Sequence, residues 1–91
     1  MILLVALKLT PGRNYSGLDT ALMSAPATTW WHYIDNVWLI RTTETPQQLT
    51  DRLNPHLNIG TDLALVTRVD LMDYYGWLPR PALDWIAANR S

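Results

Sequence analysis

Lys8, Arg13, Asn14, Tyr15 and Arg68 have the residue types and the placement to hold an anion. Lys8 lies near the end of an apolar run. Thr10-Pro11-Gly12 then turns the chain toward a helix start. Backbone N–H groups converge at such a start, and cations beside them suit a phosphate or a nucleotide. The plainer reading is that Lys8 and Arg13 pair with Asp70, Asp73 or solvent. The five residues are nevertheless the candidate ligand site.

Other groups offer less. His32 stands among aromatics and reads as a packed, hydrogen-bonded structural residue before it reads as a base. His56 follows Pro55 and reads as a solvated surface residue. The two histidines are not at metal-ligand spacing, and the chain has no cysteine to assist them. Asp70 and Asp73 bracket a strand exit, and Asp19 lies in a helix. Paired carboxylates can bind Mg²⁺, but a three-residue spacing in a loop is ordinary. Ser16 and Ser24 have no evident base partner. There is no Walker loop and no G-x-G-x-x-G. The expectation is no catalytic residue, no metal site and no cofactor.

The elements that position these residues follow from periodicity. Ile2 to Leu9 is a continuous apolar run, which predicts a central strand covered on both faces. Tyr15, Leu18 and Leu22 form one helical stripe over Tyr15 to Met23, and Asn14 or Ser16 could cap it. Thr28 to Thr43 reads as a β-hairpin about Asp35-Asn36. Thr45, Pro46 and Gln48 supply an N-cap, a proline at N1 and a capping box. That helix buries Leu49 and Leu53 and breaks at Asn54-Pro55. Leu63 to Asp70 is the fourth strand. An aromatic loop, Asp73 to Trp77, leads to a last helix from Pro81 to Ala88, with Leu83 and Ile86 inward. The order β-α-β-β-α-β plus a helix predicts an α+β fold of the ferredoxin-like split βαβ kind. Residues 1–91 then form one domain, a sheet of order 4-1-3-2 with two helices on one face.

Length and charge narrow the function. At 91 residues the chain buries only about 60–65% of its unfolded surface. Without disulfides, the five tryptophans or a second copy must complete the core. The net charge is −1, from seven basic and eight acidic residues, so nucleic acid is not expected as a general partner. The apolar Met1 to Leu7 is too short for a membrane span and lacks signal-peptide features. A soluble, cytoplasmic protein with no membrane partner is expected.

A two-residue turn at Asp35-Asn36 pairs Tyr33 with Trp38 and Trp31 with Ile40. This places Trp31, Tyr33, Trp38 and Ile40 on one face and Trp30, His32, Ile34, Val37 and Leu39 on the other. Neither face is polar, and the two helices of the repeat cover only one. The uncovered aromatics would equal or exceed the largest apolar patch of a typical monomer, roughly 300–600 Å². A symmetric homodimer packed through Trp31, Tyr33, Trp38 and Ile40 is the expectation. The alternative is that the terminal helix and the Trp77 loop fold back over that face.

Several local patterns carry a family likeness. They are the Pro11-Gly12 turn, Tyr15-Ser16-Gly17-Leu18, Trp31-His32-Tyr33 with Asp35, and Trp38-Leu39. The Thr45-to-Leu57 segment with His56, and Gly76-Trp77-Leu78 with Trp85, complete the set. Together they resemble the SinR-like family of small bacterial and phage proteins over nearly the whole chain. That family is similar in turn to the small ferredoxin-fold endonuclease subunit of CRISPR adaptation complexes and to VapD-type ribonucleases. The resemblance implies a homodimer packed through its sheets. In the nuclease relatives an aspartate ends strand one, where a symmetric pair could hold a divalent cation. Lys8 stands at that position here, and a cation cannot ligand a cation. The resemblance therefore implies a non-catalytic homodimeric interaction or binding protein. The alternatives are a metal-dependent ribonuclease or endonuclease, and a binder of a small anionic ligand or nucleotide.

Overall fold

The apolar run at the start of the chain forms β1, Ile2–Lys8, in the middle of the sheet. The computed structural model describes residues 1–12, 15, 17–24, 26–58 and 60–90. The other strands are β2 (Ala27–Ile34), β3 (Val37–Thr42) and β4 (Leu63–Val69). All pairings are antiparallel, in the order β2-β3-β1-β4. The order matches the expected 4-1-3-2. Three helices complete the described residues: α1 (Leu18–Met23), α2 (Pro46–Leu53) and α3 (Arg80–Asn89). No helix among them is long and apolar enough to cross a membrane.

Local chemistry sets the element ends. Asn36 takes φ 61° in the β2–β3 turn, a conformation that asparagine tolerates better than most residues. Thr45 caps α2 by accepting from the Gln48 N–H, and the Gln48 side chain accepts from the Thr45 N–H. The expected capping box and N1 proline are both present. Gly17 precedes α1 with φ 93°, and a Cβ there would meet the His56 ring at 3.3 Å. Glycine satisfies both constraints. Asn14 and Ser16, the expected caps, lie outside the described residues.

Each sheet face is apolar, and each carries helices. On one face Leu18 and Leu22 of α1 and Leu49 and Leu53 of α2 pack on Leu3, Val5, Leu7, Trp38 and Ile40. On the other, Ala82 and Ile86 of α3 pack on Ile2, Trp31 and Leu39, with Val69, Leu71, Leu78 and Trp85 around them. Ala82 rather than Leu83 is the fully buried partner of Ile86. The Trp31 indole N–H donates to the Ala82 carbonyl at 3.2 Å, fixing α3 to the sheet.

The expected grouping of hairpin residues fails. Trp31 pairs with Leu39, not Ile40, and Trp30 pairs with Ile40. The register shifts between Trp31 and Ile34, where His32 and Tyr33 of β2 oppose Trp38 alone. This extra residue is a bulge, and it reverses the facing from Trp31 back to Thr29, where a second shift follows. Trp38 and Ile40 consequently lie under α1 and α2, while Trp31 lies under α3. Three of the four expected interface residues are therefore core: Trp31, Trp38 and Ile40 are buried, and only Tyr33 is exposed. A face of Trp31, Tyr33, Trp38 and Ile40 does not exist on this surface.

If α3 belongs to the cooperative core, Ile86→Ala removes a buried side chain between it and the sheet. The expected cost is about 2–5 kcal/mol of unfolding free energy. Urea denaturation measures it, and a loss below about 0.5 kcal/mol would show α3 to be peripheral.

Candidate functional site

The expected anion site resolves into two separate places. Lys8 pairs with Leu63 at one end of the β1–β4 ladder, and Arg68 pairs with Leu3 near the other. Five residues of strand separate them, roughly 17 Å. Alternation also puts them on opposite faces, because Leu3 lies in the α1/α2 core and Lys8 is five positions away. Arg13 and Asn14 lie outside the described residues. The structure thus brings Lys8 and Tyr15 to one end of the sheet, and Arg68 does not join them.

Tyr15 already serves a carboxylate within the chain. Its hydroxyl donates to Asp62 Oδ1 at 2.7 Å and accepts from the Thr10 N–H at 2.8 Å. The Thr10 hydroxyl donates to the same oxygen at 2.8 Å, and the Thr10 N–H reaches it at 3.1 Å. The Asn58 N–H donates to Oδ2 at 2.8 Å. A half-buried carboxylate with this many donors stays charged. Its pKa falls from 3.8 to about 2, chiefly through the Tyr15 hydroxyl; desolvation opposes the shift, and Asn58 and Thr10 add to it. The loop's donors to an anion are real, and the anion they hold is Asp62. This clip ties the segment after β1 to the segment before β4.

The sequence reading passed over Asp62 because its partners are scattered. Tyr15 is 47 residues away and Thr10 is 52. The one local signal is the Asn58–Asp62 spacing within the connector. A second polar network was missed for a similar reason. Glu44 is buried just before α2, and Arg52 near the end of α2 returns to it through Nε at 3.0 Å and Nη2 at 2.9 Å. Arg52 also donates to the Ala21 carbonyl, tying α1 to α2. The Glu44 N–H donates to the Thr42 hydroxyl at 3.1 Å. A planar guanidinium can serve a carboxylate in this bidentate way and still reach a third acceptor.

The remaining candidates are dispersed. His32 is exposed and stacks on Trp38, with ring centroids 3.8 Å apart and planes at 14°. Among the described residues the stacking is the only part of the expected packed, hydrogen-bonded role that is seen, because the residue lies on the surface. His56 is half-buried against Gly17 rather than fully solvated. Asp70 accepts from the Met72 N–H and ends the β4 exit; Asp73 and Asp19 are exposed. Among the described residues no three His, Cys, Asp or Glu side chains converge to hold a metal ion.

Apolar surface is the more distinctive feature. Leu63 and Leu65 on β4 are 62% and 61% exposed. They line a shallow hollow of about 270 Å³ with Ala6, Leu7, Ala64 and Lys8. In the loop before α3, Tyr75 and Trp77 are 99% and 96% exposed. Leu71 and Leu78 of that loop turn inward to the α3 core, so the loop is anchored while its aromatics stand out. Compared with protein-family models, with curated proteins and with solved structures, the chain matches none.

The Asp62 clip makes stability depend on acid pH with a definite sign. A carboxyl with a depressed folded pKa contributes fully above its unfolded value of 3.8 and loses that contribution as pH falls through about 2. Tyr15→Phe removes the main cause, so the Asp62 midpoint should move up toward 3.8. Carboxyl-carbon NMR titration reads it; a midpoint that Tyr15→Phe leaves in place would exclude the hydroxyl as the cause. Asp62→Asn should flatten the loss of stability across the same window.

Proposed function

We propose that the chain is a non-catalytic homodimeric binding protein of ferredoxin-like type, akin to the SinR-like family. The observation that carries the reading is apolar surface left outside both cores. Tyr75 and Trp77 are nearly fully exposed, and two aromatics amount to roughly 300–500 Å². Leu63 and Leu65 add to this on β4. The aromatic pair alone reaches the size of the largest patch of an ordinary monomer, about 300–600 Å². An interface that joined it to the leucines of a second copy would approach one side of a standard interface, about 800 Å². The four-stranded antiparallel sheet of order β2-β3-β1-β4, with α1 and α2 on one face, supports the ferredoxin-like part of the reading.

The chemistry near strand one supports the non-catalytic part. Lys8 stands where a nuclease of the resembled kind would need a carboxylate, and it is exposed at the end of β1. Asp62, next to the Leu63 that pairs with Lys8, is committed to Thr10, Tyr15 and Asn58. The same commitment weakens the reading as an anion or nucleotide binder, because the Thr10 and Tyr15 donors are occupied. Seven basic against eight acidic residues give none of the net positive charge on which general nucleic-acid binding draws.

Light scattering at micromolar concentration should return twice the 10.4 kDa chain mass. A monomeric mass there would overturn the homodimer. Incubation with RNA and DNA in Mg²⁺ or Mn²⁺ should leave both intact. Cleavage that Asp70→Ala abolishes would replace the binding reading with a metal-dependent nuclease.

A further inference from the structure

The sheet has two edges, and the chain treats them differently. β2 carries two register shifts, between Ala27 and Thr29 and between Trp31 and Ile34. Such bulges break the regular row of backbone donors and acceptors that another strand would need. The Trp85 indole N–H also ties Thr29 of β2 to α3 at 3.0 Å. β4 has none of these protections. It pairs with β1 in unbroken register from Leu63 to Val69, contains no proline, and has Arg68 as its only charge. Its outer side faces no further strand among the described residues. A regular apolar edge of this length is a template for strand addition.

We propose that the strand added to β4 is β4 of a second copy, antiparallel about a two-fold axis close to Val66. Two four-stranded sheets then become one sheet of eight strands. The inference rests on the homodimer reading and gives that dimer a geometry, an edge-to-edge one instead of face against face.

Self-complementarity identifies the occupant. Antiparallel pairing about Val66 sets Leu63 opposite the partner's Val69, Leu65 opposite the partner's Thr67 and Ala64 opposite the partner's Arg68. Each pair keeps both side chains on one face. Arg68 does not meet its own copy, so no like-charge pair forms across the strands. The exposed leucines lie toward the start of β4, and the aromatic loop follows its end. An antiparallel two-fold therefore carries the partner's aromatic loop toward the Leu63/Leu65 hollow, and does so twice. The charges agree as well. Lys8 borders the hollow, and Asp70 and Asp73 follow the far end of β4. The two-fold brings each lysine toward the partner's acidic end. Asp62 would approach that end too, but its carboxylate is already held by Thr10, Tyr15 and Asn58.

The absence of native cysteine makes the geometry directly testable. Single cysteines are placed in turn at Leu65, Val66 and Thr67 of the full chain, with Ala88→Cys on the exposed side of α3 as the control. Directly opposed residues in an antiparallel pair have Cα atoms about 4.5–5.5 Å apart, within the disulfide range of about 4.4–6.8 Å. Under mild oxidation the residue on the axis should cross-link at least tenfold more than the control. Leu65→Lys, folded by circular dichroism, should shift the dimer to monomer in light scattering. A wild-type dimer with neither effect would overturn edge pairing and leave the homodimer standing. A wild-type monomer would overturn both. Capture of an unrelated extended peptide by β4, with the protein itself monomeric, would assign the edge to a different partner and overturn the proposal.

Discussion

One extra residue in β2 decides how this chain covers its sheet. His32 and Tyr33 occupy the space opposite Trp38, and the pairing is displaced by one from Trp31 back to Thr29. The displacement sends Trp31 to one face and Trp38 and Ile40 to the other. Each face then owns at least one tryptophan, and each needs helices over it. α1 and α2 serve one, and α3 serves the other. Without the bulge, Trp31, Tyr33, Trp38 and Ile40 would load one face, and Trp30 rather than Trp31 would share a face with Leu39. The Trp31–Ala82 hydrogen bond exists because the bulge turns that indole toward α3.

The polar interior follows the same economy. Two connecting segments converge where β1 ends and β4 begins, and Asp62 takes donors from both at once. The Glu44–Arg52 pair does the same between the exit of β3, the end of α1 and the last turn of α2. Neither carboxylate is free to act on a ligand without releasing part of the fold. A buried pair contributes little net stability over a well-packed apolar substitute, but removing one partner leaves a charge with no compensation. These groups therefore specify which elements meet, while the leucine and tryptophan clusters supply most of the burial free energy.

Much of this was legible in the sequence, and the errors have physical causes. Strand and helix spans, the Thr45 capping box, the Asp35-Asn36 turn and the sheet order follow from periodicity and turn chemistry, which are local. The facing of the hairpin does not. A bulge is one unpaired residue, and the run Thr29 to Ile34 is apolar or aromatic at nearly every position, so no polar residue marks where alternation slips. The anion site was half legible. The donors after β1 could be read from Lys8, Thr10-Pro11-Gly12 and Tyr15, but the anion they serve is contributed from about fifty residues away. Arg68 lies far from Lys8 because the β1–β4 register, which residue types do not reveal, sets them at opposite ends of the ladder.

What α3 covers also determines what it leaves. A ten-residue helix is about 15 Å long, and it lies over the Ile2, Trp31 and Leu39 end of its face. Leu63 and Leu65, in β4 but toward the opposite end, receive no such cover. The other edge strand, β2, is broken by bulges, so the chain has a means of protecting an edge and does not apply it to β4. An apolar strand left straight, open and flanked by lysine at one end and aspartates at the other carries a cost in solution unless it is paired. In the dimer proposed above, that cost would fall on the free monomer and disappear when two copies meet, and the exposed surface would belong to half of the assembly.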